Sequence, residues 1–322
     1  MRSAIVVFLI SCLGCSPSPT KSDQVKPKAI PHSKYIWTQV LDSANWKKNY
    51  NFQLLSVRDT LWVFHPDACW YSVDEGQSWV SSALANIIDN HAFLDYVVFK
   101  DAVYGLGYFK GNIENFVFKP NIYRTSDMQH WEVLSTKSNI PDRFFYHPFV
   151  FKDKLWIIGG EDEKTAYADI WNSKDGIQWI KQKQDLPFGK RSGSIIVTLN
   201  EKLYLLNSDV WSSIDGLNWV KETDAIVPGQ EIFGYNAVVF DGKIWLLGCN
   251  RNGQFSSQVL VSRDGKNWEG IHAPWSPRGG IAATVHHNKI FMTGGKYGGT
   301  PNHTTFIYSN DLWVLHKNEI QE

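Results

Sequence analysis

Hydrophobic positions along the chain fall in short runs separated by brief polar turns, and six of these runs share one pattern. In each, an aliphatic residue followed by an aromatic one comes directly after a charged or polar turn. The six pairs are Leu61-Trp62, Val103-Tyr104, Leu155-Trp156, Leu203-Tyr204, Ile244-Trp245 and Ile290-Phe291. A period of roughly 40–50 residues with short strands in each unit is typical of a repeat fold and not of one large core. The pattern predicts an all-β, six-bladed β-propeller.

The third repeat shows how each unit is expected to fold. Residues 148–151 are predicted to form a first strand, residues 155–160 a second and residues 168–172 a third, with a fourth beginning at Trp179. Each segment is rich in bulky residues and is bounded by turn residues such as Asp153, which is typical of short strands. Four such strands make one blade.

A second repeated motif, a Ser-x-Asp turn followed by a Trp, precedes the fourth strands. An Asp carboxylate can accept backbone N–H groups within a tight turn, Gly tolerates positive φ, and the Trp is expected to cover the next sheet. We therefore expect these residues to be structural. The motif contains Asp74 and Trp79, Asp175 and Trp179, Asp215 and Trp219, and Asp264 and Trp268, with a degenerate copy at residues 126–131 that lacks the glycine.

The sixth repeat has no fourth strand at the end of the chain. Residues 310–315 align with the third strands of earlier repeats. Residues 36–40, which contain Trp37, look like the fourth strands that begin at Trp179 and Trp219. We expect this N-terminal segment to complete the last blade, because closure of the ring removes exposed sheet edges. The predicted propeller spans residues 34–317, followed by a tail at residues 318–322.

The first 15 residues are expected to be a lipoprotein signal peptide. Arg2 precedes an apolar run at residues 4–10, which is too short to span a bilayer and suits a signal-peptide core. The run ends in Ser-Cys-Leu-Gly-Cys, which resembles a bacterial lipobox, so the lipidated residue is Cys15 or Cys12, with Cys15 preferred for signal length. Residues 16–33 predict a flexible tether. The chain is thus expected to be anchored in a bacterial cell envelope, at the outer membrane or the periplasmic face.

Several of these motifs together resemble kelch repeats, of the kind found in the central domain of galactose oxidase. They are the glycine pairs Gly159-Gly160 and Gly294-Gly295, the Asn-Asp-Leu-Trp strand at residues 310–313 and the late Trp of each repeat. The Ser-x-Asp-Gly-x-x-Trp turns are similar to the Asp boxes of sialidases. The resemblance covers residues 34–317 and implies the propeller fold. Kelch propellers include enzymes, protein-binding platforms and glycan-binding modules, so the resemblance leaves the function open.

A galactose-oxidase-like copper centre, one activity implied by the resemblance, needs two Tyr and two His ligands. The pairs Tyr146-His147 and His286-His287 supply these groups. They are expected at opposite ends of their blades, too far apart to share one metal. The sequence assigns no metal and no cofactor.

A sialidase-like site, the other implied activity, needs three arginines that bind a carboxylate. Arg143, Arg191 and Arg278 each precede the first strand of a blade. There they either converge near the central channel or pack between blades. The entry motif seen in sialidases is missing, and the sequence assigns no catalytic residue.

Composition narrows the possible partners. Lys and Arg together number 32, as do Asp and Glu, so the net charge is zero. Nucleic acid is not an expected partner, because its binding relies on a basic surface that releases counterions. Cys69 and Cys249 lie in the first and fifth repeats, which are not neighbours in a ring of six. We expect both to be buried and unpaired.

Loop lengths indicate which face of the propeller binds a ligand. The turns from first to second strand are short, whereas the loops from second to third strand are long and irregular, and we call the side that carries them the long-loop face. Variable loops on a rigid scaffold are where binding residues concentrate. The candidate ligand-binding residues are Tyr108, Arg143, His147, Tyr167, Arg191, Arg251, Trp275, Arg278 and Tyr297.

These residues predict a non-catalytic propeller that recognises an envelope protein or a glycan through the long-loop face. Two alternatives remain open. One is an envelope carbohydrate-active enzyme, which requires several titratable groups to meet at the channel mouth. The other is a purely structural subunit of an envelope complex, which requires an exposed apolar patch.

Overall fold

The computed structural model describes residues 34–318, with gaps at residues 51, 67, 84–93, 108, 113–114, 119–120, 136–138 and 301–302. The predicted signal peptide and tether, including Cys12 and Cys15, lie outside the described residues. Among the described residues there is no helix long and apolar enough to cross a bilayer.

Six four-stranded sheets are present in the described part of the chain, one for each predicted blade. Blade 1 consists of β2 (Gln53–Val57), β3 (Thr60–His65), β4 (Ala68–Ser72) and β5 (Val80–Ser82). Blade 2 consists of β6 (Asp95–Phe99), β7 (Ala102–Leu106), β10 (Ile122–Thr125) and β11 (Glu132–Ser135). Blade 3 consists of β12 (Phe149–Phe151), β13 (Lys154–Ile158), β14 (Ile170–Ser173) and β15 (Ile180–Lys183).

The other three blades repeat this order. Blade 4 consists of β16 (Ile195–Leu199), β17 (Lys202–Leu206), β18 (Val210–Ser213) and β19 (Val220–Thr223). Blade 5 consists of β21 (Asn236–Phe240), β22 (Lys243–Leu247), β25 (Gln258–Ser262) and β26 (Glu269–His272). Blade 6 consists of β27 (Ala282–His286), β28 (Lys289–Thr293), β31 (Leu312–Lys317) and β1 (Tyr35–Leu41).

Seven further strands of the described chain lie outside the blades, in connections on the long-loop face. They are β8 (Phe109–Asn112) and β9 (Asn115–Phe118) in blade 2, β20 (Ile232–Phe233), β23 (Cys249–Arg251) and β24 (Gln254–Ser256) at blade 5, and β29 (Lys296–Thr300) and β30 (His303–Tyr308) in blade 6. Three of the long loops are therefore β-hairpins that project from the propeller.

The N-terminal strand closes the ring, as the sequence predicts. β1 pairs antiparallel with β31, with Trp37 opposite Leu315 and Tyr35 opposite Lys317. This pairing supplies the fourth strand that blade 6 lacks and covers the free edge of β31. The two ends of the described chain are thus held in one sheet.

The turns from first to second strand are tight two-residue hairpins. Lys100 and Asp101 have φ values of 48° and 60°, and His287 and Asn288 have φ values of 44° and 57°. Two consecutive residues with positive φ are typical of a type I′ turn, whose twist matches that of the flanking strands. The second strand of blade 3 ends at Ile158 and not at Gly160 as predicted, because Gly159 and Gly160 also take positive φ, 62° and 88°.

Hydrogen bonds to the Asp carboxylate close the Ser-x-Asp turns. In blade 4, the backbone N–H groups of Leu217 and Asn218 each donate to Asp215 Oδ1 at 2.8 Å, and Trp219 Nε1 donates to the carbonyl of Gly216 at 3.0 Å. Partial burial of Asp215 favours its neutral form, but these hydrogen bonds outweigh burial and lower its pKa. The carboxylate therefore stays ionised and holds the turn closed.

The aliphatic–aromatic repeat has its explanation at the contacts between blades. The turn glycine of one blade lies against the aromatic ring of the preceding blade, so that a Cβ on Gly176 would stand 2.6 Å from Tyr104 and one on Gly265 would stand 2.5 Å from Tyr204. The turn tryptophans share hydrophobic clusters with the same rings, as Trp219 does with Trp156. The expectation that the Trp covers the next sheet is thus wrong in direction, since it covers the preceding blade.

Cys69 and Cys249 are both buried, as predicted, and neither forms a disulfide bond. Burial raises the pKa of the Cys69 thiol to about 12, so it stays protonated and packs as a small apolar side chain.

Candidate functional site at the channel mouth

The first strands of all six blades surround a central cavity of about 600 Å³. Each first strand runs antiparallel to its second strand, so it begins on the face where the second strand ends. That face is the long-loop face. The start of each first strand therefore lines the mouth of the channel, beneath the projecting hairpins.

A ring of equivalent positions at this mouth is mostly polar. Gln53, Asp95 and Asn236 open their first strands and pair with Phe64, Leu106 and Leu247, and each lines the cavity. His147 holds the same position in blade 3, two residues before Phe149, and Ile195 holds it in blade 4. Three residues further along the strands, the cavity wall contains Val98, Val150 and Thr198. The cavity wall is thus mostly polar at the long-loop face and contains valines further along the first strands of blades 2 and 3.

Gln53 and Asp95 form a hydrogen-bonded pair that joins blade 1 to blade 2. Gln53 Nε2 donates to Asp95 Oδ1 at 3.0 Å and to the carbonyl of Leu94 at 3.2 Å, and the N–H of Tyr96 donates to Gln53 Oε1 at 2.9 Å. Burial raises the pKa of Asp95 to about 7, although the hydrogen bond from Gln53 works in the opposite direction. At neutral pH the carboxyl group is therefore able both to donate and to accept a hydrogen bond.

His147 and Tyr146 complete the polar part of the mouth on the blade 3 side. Burial lowers the pKa of His147 to about 4, against the opposing effect of a hydrogen bond with the backbone of Ile196, so the imidazole is neutral. The Tyr146 hydroxyl lies against Gly107, where a Cβ would stand 3.1 Å from it. Burial raises the pKa of Tyr146, and the nearby charge of Asp95 raises it further. The mouth thus contains the side-chain amides of Gln53 and Asn236, the carboxyl group of Asp95, a neutral imidazole and a phenol.

The three arginines from the sequence analysis form three separate ion pairs and do not converge on one carboxylate. Arg143 and its partner Asp169 are both almost fully buried, with an Nη1 to Oδ1 distance of 2.6 Å. Arg143 also packs over the ring of Tyr167 at 3.7 Å. The other pairs are Arg191 with Asp209 at 2.8 Å and Arg278 with Asp311 at 2.5 Å. In each pair the carboxylate also accepts an indole N–H from a Trp two residues later, namely Trp171, Trp211 and Trp313.

The remaining candidates lie at different places. The Tyr167 hydroxyl donates to Asp162 Oδ2 at 2.5 Å within the blade 3 loop. Arg251 contacts Gln258 Oε1 at 2.7 Å on β23, and Tyr297 lies half-buried on β29. Trp275 is buried against Trp37 in a cleft between blades 5 and 6, away from the mouth. Tyr108 lies outside the described residues.

His286 ends β27 and His287 begins the hairpin turn of blade 6, at the opposite end of the channel from His147. His286 Nδ1 is 2.9 Å from Ser56 Oγ, and its ring stacks on His287. Among the described residues, no group of three or more His, Cys, Asp or Glu side chains is placed to hold a metal ion.

Sequence reasoning missed Gln53, Asp95 and Asn236, although the signal was present. Alignment of the six hairpin turns places each of them on the same position as His147, five residues before the first residue of its two-residue turn. Comparing the first strands position by position would have found a polar ring where the other inner positions are apolar.

Comparisons with known proteins agree on the fold. Residues 125–228 match the model of a family described as the DUF6242 beta propeller domain. No curated protein matches the chain. A solved structure titled "Structure of YjhT" is similar with a TM-score of 0.70 and 13% sequence identity, over 85% of this chain and 96% of that one. At this identity the likeness concerns the fold alone, and the chain is a β-propeller similar in structure to YjhT.

Proposed function

We propose that the chain is a non-catalytic binding protein of a bacterial cell envelope that recognises a glycan at the channel mouth on its long-loop face. The ring of Gln53, Asp95, His147 and Asn236 around the cavity carries this proposal. Sugar hydroxyls both donate and accept hydrogen bonds, and the amide, carboxyl and imidazole groups of the ring do the same. A concave site with a few convergent polar groups is the usual form of a small-ligand site.

Asn236 offers the sharpest test of this site. No hydrogen bond from its side chain occurs within the described residues, so its amide is free to contact a ligand. Asn236→Ala should weaken glycan binding by roughly 5- to 10-fold, the effect of one lost hydrogen bond. Thr198→Ala, which changes the same channel near its other end, serves as the matched control.

The experiment begins with a glycan array probed with the full-length chain, and titration of any hit against the two variants follows. Loss of affinity in Asn236→Ala but not in Thr198→Ala supports the mouth as the binding site. Equal affinity in all three proteins, or the absence of any glycan hit alongside a specific protein captured from membranes, would contradict it.

The envelope anchor is a separate part of the proposal and rests on the N-terminal sequence. Lipidation at Cys15 or Cys12 and the tether of residues 16–33 would hold the propeller at a membrane surface. Mass spectrometry of the mature N-terminal peptide identifies the acylated cysteine. A mature chain that starts elsewhere and carries no lipid contradicts the anchor but not the binding site.

One observation favours a second function, a carbohydrate-active enzyme. The pKa of Asp95 is raised by burial to about 7, which suits a general acid or base at neutral pH. Turnover of a glycan bound by the wild-type chain, abolished in Asp95→Asn while binding persists, would favour catalysis over simple recognition.

A further inference from the structure

Lys296 is a partly buried cation at the rim of the channel, between blades 6 and 1. Its ammonium lies 4.1 Å from the ring centre of Tyr50 and 4.6 Å from that of Phe306. Within the described residues it forms no ion pair and donates no side-chain hydrogen bond. The arginines of blades 3, 4 and 6 differ in this respect, because each is paired with an Asp.

The position of Lys296 is fixed by its surroundings. Its backbone exchanges two hydrogen bonds with Gly279, of 2.8 and 3.0 Å. Tyr50 stacks on Tyr308, which is opposite Lys296 in the β29–β30 hairpin. Tyr50 also packs against Gly280, which lines the central cavity. The ammonium is thus held beside the Tyr50 ring, which borders the cavity wall at Gly280.

The two rings only partly compensate for the water that Lys296 loses. Burial lowers the pKa of its ammonium, and no carboxylate contributes an opposing effect. A half-buried cation without a counter-ion is destabilising, and an anion that reached it would offset that loss with charge-assisted hydrogen bonds. Each ring face can receive one N–H of the ammonium, so with two rings at least one of its three donors remains for an anion.

We propose that Lys296 is the anion-binding group of the channel mouth and receives a carboxylate or phosphate carried by the ligand. This inference rests on the proposed glycan site and specifies its ligand class as a saccharide with an anionic substituent. The exposed ring of Phe306, 47% accessible, provides an apolar surface beside the charge on which a sugar ring can stack.

The test compares three sugars that differ only at carbon 6, namely D-glucose, D-glucuronate and D-glucose 6-phosphate, at constant ionic strength. Full-length chain with ¹³C-labelled lysine Cε is titrated by NMR, with Lys296 assigned from its loss in Lys296→Met. Glucuronate or glucose 6-phosphate should shift the Lys296 signal and raise its pKa, whereas glucose should not. Whichever anionic sugar shifts the Lys296 signal shows whether the site prefers a carboxylate or a phosphate.

Affinity measurements on variants complete the test. Lys296→Met should weaken binding of the active anionic sugar by roughly 10- to 100-fold, as expected for loss of a charge-assisted hydrogen bond, and Lys296→Arg should restore part of it. Lys289→Met is the control, since Lys289 is also half-buried but pairs with Glu75 on the opposite face. Anionic sugars that leave Lys296 unperturbed, or that bind equally well to Lys296→Met, overturn the inference.

The two proposals can fail separately. If glucose and glucuronate bind alike and both perturb His147, the glycan site stands and the anion subsite is wrong. If acetate or inorganic phosphate shifts Lys296 while no sugar perturbs His147, the anion site stands and the glycan proposal is wrong.

Discussion

The hydroxyl of Tyr35 donates a hydrogen bond of 2.6 Å to the carboxylate of Asp241, which joins β1 to the inner hairpin of blade 5. Lys243 donates to the same hydroxyl at 2.6 Å, and Lys317, opposite Tyr35 in the sheet, pairs with Asp241 at 2.5 Å. Although partial burial opposes it, hydrogen bonds from Lys317 and Tyr35 lower the pKa of Asp241 to about 2. The β1–β31 pair that closes the ring is therefore bonded to blade 5 as well as within the sheet of blade 6.

Tyr35→Phe should destabilise the propeller by about 1–3 kcal/mol, because it removes two hydrogen bonds and leaves the buried ammonium of Lys243 without its acceptor. Urea denaturation followed by tryptophan fluorescence measures the free energy of unfolding. Tyr71→Phe is the control, because the Tyr71 hydroxyl forms no hydrogen bond within the described residues. Equal stability of the two variants would show that the Tyr35 link contributes nothing to closure.

Three glycines with nearly the same φ should differ in how much stability is lost when each is replaced by alanine, because their contacts with the preceding blade differ. Gly176, Gly216 and Gly189 have φ values of 79°, 79° and 75°. A Cβ would stand 2.6 Å from Tyr104 at position 176 and 3.5 Å from Trp156 at position 216, and would meet nothing within 4 Å at position 189. An alanine would thus suffer similar backbone strain at all three positions, and only its steric overlap with the preceding blade would differ.

Gly189→Ala should cost about 1 kcal/mol through backbone strain alone, and Gly176→Ala about 1–3 kcal/mol more because the Tyr104 ring has to move. Gly216→Ala should fall between them. Thermal or urea unfolding of the three variants checks the order. If all three lose the same stability, the close packing of turn glycine on aromatic ring is not a determinant of blade association.

Much of this architecture is readable from the sequence because a propeller is built from contacts between neighbours in the chain. Each Asp turn, aromatic pair and two-residue hairpin is encoded within about ten residues, and Trp37 marks the closing strand by local similarity to the fourth strands. The repeat therefore predicts the number of blades and the place of closure.

The candidate site is harder to predict because its residues meet only through the ring. Lys296 and Tyr50 are far apart in the sequence and share no motif, yet their side chains are in contact in the folded chain. The position of Arg143 before a first strand also does not show where its side chain points. It could face the channel, but it pairs with Asp169 of its own blade. Such choices depend on tertiary packing, which local pattern does not report.

The buried pair of Arg143 and Asp169 should be among the most sensitive points of the fold. Arg143→Met leaves a buried carboxylate without its cation and should cost about 3–5 kcal/mol. Arg191→Met, which breaks a more exposed pair at the equivalent place in blade 4, should cost less. Chemical denaturation of both variants gives the comparison. A larger loss in Arg191→Met would mean that burial does not set the energy of these pairs.

Asp95 should make the stability of the wild-type protein fall as pH rises. Its pKa is about 7 in the folded chain, against about 4 in an unfolded one, so the folded state binds the extra proton between these values. The stability that this group contributes is fully present below about pH 4 and is lost as pH rises through about 7.

Asp95→Asn removes this dependence while keeping an oxygen that accepts the hydrogen bond from Gln53. The free energy of unfolding of the variant, relative to wild type, should therefore increase between pH 4 and pH 7, by at most about 1.4 kcal/mol per pH unit, and level off above pH 8. Urea denaturation at several pH values measures the difference, with the exposed Asp42→Asn as control. Parallel pH profiles for wild type and Asp95→Asn would show that Asp95 is ionised at neutral pH, and they would remove the observation that favours catalysis at the channel mouth.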